Sequence, residues 1–196
     1  MRIFCWLFLI VLPVFTTAQD LLRCNDSISF YVNQKDNYYC MIKLTGKVQN
    51  TENDRVFVIN NNTLQAMLVD KDSYLGDGTA DIPVLSNYIL SEMEYFSGLY
   101  KEKLYVTMIP VDGPGDRKAI VWYFDIPENA RPQETENTSP AVKIVSVSMV
   151  TERYIYSIGT TQFKDQSFDE LQKLLTDSLI TIRYGSGHPD IDVICN

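Results

Sequence analysis

One histidine, a handful of cysteines and one loop dense in carboxylates are the residues of this sequence that could carry chemistry. His188 stands in the tail YGSGHPD without a second His or a paired Cys motif, so a dedicated zinc site has too few ligands. A nucleophilic triad through His188 would have to use Ser186, which lies between Gly185 and Gly187, where such geometry is hard to hold. An exposed terminal His is expected. The loop DKDSYLGDGTAD gathers Asp70, Asp72, Asp77 and Asp81 and opens D-x-D, as an EF-hand does. Tyr74 then falls on a ligand position, Leu75 replaces the sharp-turn Gly, and Asp81 replaces the bidentate Glu. A solvated turn and helix cap is the reading, with Asp70 to Asp81 as the expected location of any carboxylate-based enzyme activity. GxSxG, GxxxxGK[ST] and CxxC do not occur, and DGPGD reads as a hairpin tip because no helix follows it to hold a phosphate. No catalytic residue, metal or cofactor is assigned.

The cysteines are tied to where the chain goes. MRIFCWLFLIVLPVFTTAQD has a cationic start at Arg2, an apolar run from Ile3 to Phe15 and small residues at Thr16 and Ala18. This is the pattern of a secretory signal over residues 1–18, cleaved after Ala18, and the apolar run is shorter than the roughly 20 residues a membrane span needs. Secretion or export to a periplasm is expected, with no stable membrane insertion afterwards. Cys5 leaves with the signal; Cys24, Cys40 and Cys195 remain. An oxidising compartment makes one disulfide plausible, and Cys24 with Cys195 would staple the two ends of the domain. Cys24 with Cys40 across a hairpin stays open. Cys40 alternates in phase with Ile42 and Leu44, as an inward-facing strand residue would.

The formal net charge is −8, one unit more negative once Arg2 is gone, and no Lys/Arg cluster offsets it. Such a surface repels phosphate backbones, which excludes nucleic acid as a partner. Sequons occur at Asn25, Asn61 and Asn137.

These residues must be positioned by strands first and a helix last. ISFYV and YYCMIKL flank NQKDN, a hairpin with a five-residue loop; Gly46 to Asp54 is polar and turn-like; RVFVIN and LQAMLVD flank NNT. Successive hairpins favour antiparallel pairing. Leu85, Tyr88, Ile89, Met93, Phe96 and Leu99 then recur at helical spacing, with Ser86, Asn87, Glu92 and Glu94 on the opposite face and Asp81 and Pro83 at the start. KLYVTMIPV and RKAIVWYFDIP read as central strands, ENARPQETENTSP as part of a mobile acidic loop near 127–140, and AVKIVSVSMV with RYIYSIGTT as a third hairpin. Ser167 and Glu170 form a capping box for a helix carrying Phe168, Leu171, Leu174, Leu175, Leu179 and Ile182, which Gly185 stops.

With its ending ERYIYSIGTTQFKDQSFDELQKLLTDSLITIRY, the stretch from Arg55 to Tyr184 resembles the Mog1/PsbP-like superfamily, including its exported members of the DcrB kind. The resemblance implies an antiparallel sheet with helices packed on it and a preference for non-enzymatic roles. It carries no functional residue over.

The expectation is one α+β domain over 19–196, an antiparallel sheet of about seven or eight strands covered by two helices. Its expected work is non-enzymatic: an accessory or binding protein presenting a surface to a protein partner or envelope component. An envelope or extracellular enzyme using Asp/Glu carboxylates would show them converging in a hollow, and a carrier of a small apolar ligand would show an apolar cavity between sheet and helix.

Overall fold

Two short turns set the first half of the fold. Asp36 and Asn37 both have positive φ (49° and 57°), as do Asn60 and Asn61 (48° and 66°). Two consecutive left-handed residues make the turn whose twist matches that of paired strands, and Asp and Asn tolerate that backbone. The first turn joins β2 (Ile28–Lys35) to β3 (Tyr38–Thr45), so the connection expected to be five residues long is two. The second joins β5 (Val56–Ile59) to β6 (Asn62–Asp70). The computed structural model describes residues 18–53, 55–76, 80–131, 139–190 and 194–195. The apolar part of the expected signal lies outside them. Ala18 and Gln19, at the expected cleavage point, begin β1 (Ala18–Arg23) and pair with Gln34 and Asn33.

The described strands form two antiparallel sheets where one of seven or eight strands was expected. Four strands run in the order β1-β2-β3-β11, with β11 at Arg183–Ser186. Seven run β4-β5-β6-β10-β9-β8-β7, comprising also β4 (Val48–Asn50), β7 (Thr107–Asp112), β8 (Lys118–Asp125), β9 (Ala141–Val150) and β10 (Tyr154–Phe163). The fold is α+β, as expected, but layered. Cys40, Ile42 and Leu44 of β3 share one core with Phe57, Leu64, Val147 and Tyr156 of the larger sheet. Across this core the Tyr31 and Phe57 rings lie 4.4 Å apart and the Tyr38 and Tyr154 rings 5.4 Å apart. Arg23 Nη2 donates to the Val48 carbonyl at 3.2 Å, a polar tie between the sheets.

Helix α2 (Phe168–Leu179) completes the same core with Leu175 and Leu179, against which Phe168 and Leu174 also pack. Ser167 caps it, its hydroxyl accepting from the Glu170 N–H at 3.4 Å. The helix ends earlier than expected, and Gly185 lies inside β11 rather than stopping the helix. The reason is local. Thr181, Ile182 and Tyr184 favour extended backbone, and the open edge of β3 offers a ladder for it. Thr181 Oγ1 accepts from the Lys43 N–H at 2.8 Å as the chain leaves the helix.

Helix α1 (Asp81–Tyr100) packs on the other face of the seven-stranded sheet. Val84, Leu85, Tyr88, Ile89 and Met93 are buried there against Ile120, Trp122, Phe124, Val150 and Ile155. Asp81 does not cap it, since Ala80 holds that position. The Asp81 carboxylate instead meets Arg117 Nη1 at 3.3 Å and accepts from the Lys118 N–H at 3.2 Å, tying the helix start to the β7–β8 hairpin. Strand β7, expected to be central, is an edge, and Pro110 sits in it as an edge strand allows. Gly46–Asp54, expected to be a turn, contains β4. Of the acidic stretch 127–140, Glu128–Ala130 forms a short 3-10 turn and Arg131 Nε donates to the Ile126 carbonyl at 2.8 Å; residues 132–138 lie outside the described residues. Among the described residues no helix is long and apolar enough to cross a membrane.

Candidate binding groove

The residues singled out for chemistry do not come together. Asp70 Oδ1 accepts from the Asp72 N–H at 3.0 Å, capping the 3-10 turn Lys71–Tyr74, while Asp81 is committed to Arg117 and Asp77 lies outside the described residues. His188 Nδ1 meets Gln34 Nε2 at 2.7 Å on the surface. No three His, Cys, Asp or Glu side chains among the described residues are grouped to hold a metal. Cys24 and Cys195 are joined as a disulfide with their Cα atoms 5.2 Å apart, and Cys40 is a free, fully buried thiol that burial pushes up in pKa. The alternative pairing of Cys24 with Cys40 is therefore not the one formed.

A site arises where α1 leaves the sheet uncovered. The helix lies over β8 and the adjoining ends of β9 and β10, and beside it the face of β10, β9, β6 and β5 is bare. The floor is small and polar: Ser146, Ser157, Gly159 and Thr161 face this side in place of the large apolar residues that fill the other face. At Gly159 an added Cβ would come within 2.4 Å of Ser146 Oγ, so the floor is low because a side chain is missing. Met67, Phe163 and Ile144 supply one wall and Glu92, Phe96 and Trp122 the other. The groove holds about 390 Å³, in the range of small-molecule sites. A larger hollow of about 650 Å³ on the opposite flank of α1, between Leu90, Ser97, Lys101 and Leu104, opens widely to solvent and carries exposed lysines and glutamates. We take the smaller one as the site because it is less open to solvent and carries a single ionisable side chain, itself half-buried.

Those polar groups are ordered from behind. Trp122 Nε1 donates to Ser148 Oγ at 2.9 Å, and Ser148 Oγ lies 2.8 Å from Ser157 Oγ. Tyr88, edge-on to Trp122 with ring centroids 6.4 Å apart, is fully buried, and its hydroxyl has no hydrogen-bond partner among the described residues. One helical turn on, Glu92 is half-buried and makes no hydrogen bond or ion pair among the described residues; burial raises its carboxyl above the usual range. No family model, no curated protein and no solved structure matches this chain. The groove must be read from its own chemistry.

Sequence reasoning missed it by placing Glu92 on the solvent face of α1. A signal was present: Tyr88, Glu92 and Phe96 recur every four residues, one stripe of a helix. Alternate positions of VSVSMV and YSIGTT likewise put small residues on one face of otherwise apolar strands.

The carboxyl has a consequence for stability. A carboxyl raised in the folded state holds its proton more tightly than in the unfolded chain, so its stabilising contribution is present in acid and lost as pH rises through the folded value. Glu92→Gln carries no such loss. Urea denaturation is expected to show the variant more stable than the parent at about pH 7, with the difference closing toward about pH 4. A pH-independent difference would show that Glu92 is not desolvated.

Proposed function

We propose that this is an exported, non-enzymatic binding protein whose site is the groove between α1 and the bare half of the seven-stranded sheet, and that it takes a small, mainly apolar ligand. The observation that carries this is the combination of an apolar-walled groove with a half-buried, unpartnered Glu92 at its side. Of the functions expected from sequence, the carrier of a small apolar ligand fits this arrangement best. The carboxylate enzyme is supported least, because Asp70 and Asp81 serve as a cap and an ion-pair partner. The resemblance to the Mog1/PsbP-like superfamily favours a non-catalytic role as well.

The test is titration with the neutral dye Nile red, followed by dye emission and Trp122 quenching. Thr161→Trp, at the partly open mouth of the groove, is expected to weaken dye binding by at least about tenfold. Tyr105→Ser, far more exposed at 76 %, is expected to leave it unchanged. Binding that survives Thr161→Trp, or no binding up to about 1 mM dye, overturns the reading.

A second reading, a surface for a protein partner, draws on the exposed apolar side chains Leu90, Tyr95, Leu99 and Tyr105 along α1 and just after it. Loss of dye binding in Tyr105→Ser but not in Thr161→Trp would favour it.

A further inference from the structure

We infer that the groove's ligand is an amphipathic organic cation, an ammonium group on a short hydrocarbon body, with the ammonium beside Glu92 and the hydrocarbon laid over the Gly159 floor. This rests on the groove being the binding site and adds the chemical class of what it binds.

Charge is the first argument. Among the residues that line the groove, Glu92 is the sole ionisable side chain. β5, β6, β8, β9 and β10 turn no charged group toward it, and the neighbouring titratable group, Tyr88, comes from its own helix. A carboxylate half-withdrawn from water and lacking a protein counter-ion is costly, and a ligand that brings the opposite charge relieves that cost. An anionic ligand meets the reverse: Glu92 at the site and a net charge of −8 on the chain around it.

The rings are the second argument. Phe96, one helical turn from Glu92, and Trp122 both line the groove, and aromatic side chains in a site with a carboxylate are the surroundings in which an ammonium, above all an alkylated one, loses least on leaving water. Trp122 cannot swing away, since its indole N–H is held by Ser148 and its ring is 2 % exposed. Phe96 is braced by Phe124 at 5.0 Å and Tyr95 at 5.4 Å. The walls are therefore set before a ligand arrives, which lowers the ordering cost of binding.

Size is the third. About 390 Å³ suits a compact molecule rather than a segment of folded protein, and Met67, Ile144 and Phe163 offer a methylene chain apolar contact away from the acid. The distribution is lopsided, with the one charge at the helix wall, apolar side chains on the wall across from it and small neutral residues on the floor between, which suits an amphiphile.

The experiment compares three probes of equal chain length by isothermal titration calorimetry at about pH 7.5: octyltrimethylammonium, octan-1-ol and octanoate. The cation is expected to bind at least about tenfold tighter than the alcohol, with octanoate weakest. Glu92→Gln is expected to weaken the cation by about tenfold or more and leave the alcohol within about twofold. Phe96→Leu is expected to weaken the cation selectively. Cation affinity should fall as pH drops through the raised value of Glu92, because protonation removes the charge that attracts it. An alcohol that binds as tightly as the cation, or a cation that binds Glu92→Gln unchanged, overturns the inference. Thr161→Trp separates the two levels. If it abolishes alcohol binding while the cation holds no advantage, the groove stands and the cation falls; if it affects no probe, both fall.

Discussion

Converting both Cys24 and Cys195 to serine is expected to lower the unfolding free energy by about 5 kcal/mol, the upper end of what one native disulfide contributes. The bond joins positions 171 residues apart, so it closes nearly the whole folded chain into one loop, and the entropy it removes from the unfolded state grows with loop length. In the folded state it fastens a particular place. Strand β1 is an edge, paired to β2 alone, and Cys24 follows directly after it. On the outer face of the four-stranded sheet, Leu22, Cys24 and Ile194 pack on Phe30, Val32 and Met41, so the end of the chain is brought back over the sheet it would otherwise leave. Domains of this size are stable by about 5–15 kcal/mol in total, so the double variant is expected near the edge of folding. Reductant should reproduce the loss in the parent protein and do nothing further to the variant. Cys40 will not confuse the comparison, because it is fully buried and its thiol resists ionisation. Urea midpoints that coincide with and without reductant would show that the staple contributes nothing. Hydrogen exchange gives a finer reading: on reduction, β1 amides should lose protection before those of β2 and β3.

What was legible in the sequence was local, and what was not depended on distant pairing. Asp36-Asn37 and Asn60-Asn61 announce their turns because few residues accept the backbone those turns impose. Ser167 announces α2 because a hydroxyl three residues before a helical N–H is a short-range arrangement. The second sheet has no such mark. The β2–β3 hairpin carries apolar residues on both faces: Tyr31 and Ile42 toward the shared core, Phe30, Val32 and Met41 away from it. Nothing within the hairpin says which sheet it joins. That is decided when β11 pairs Arg183 with Met41 and Tyr184 with Cys40, some 140 residues later in the chain. The same event cuts α2 short. The groove was hidden for a related reason: it is a place where a helix fails to cover a sheet, and a helix's own periodicity says which side is apolar, not how wide a surface that side must cover. Glu92 reads as a solvent residue by its charge, yet its four-residue spacing from Tyr88 and Phe96 puts it on the stripe that faces the sheet, where it is half-buried.

Phe57→Ala is expected to cost about 3–5 kcal/mol, the range for deleting a fully buried aromatic ring. Phe57 is 0 % exposed on β5, and its ring meets Tyr31 of β2 at 4.4 Å, so its loss opens a cavity between the two sheets. A destabilisation alone would not show which surfaces meet there, because any buried Phe gives one. The decisive measurement is the double-mutant cycle of Phe57→Leu with Tyr31→Leu, read by urea denaturation. Rings in contact across the layers should couple by about 0.5–1.5 kcal/mol beyond the sum of the single changes, whereas residues in separate layers add independently. Phe57→Leu with Phe30→Leu serves as the comparison, since Phe30 points to the opposite face of the smaller sheet and belongs to a different apolar cluster. Coupling in the first pair and additivity in the second would place β2 and β5 face to face. Additivity in both would mean the four-stranded sheet does not stack on the seven-stranded one through Tyr31, and the shared core that holds α2 against both sheets would have to be redrawn.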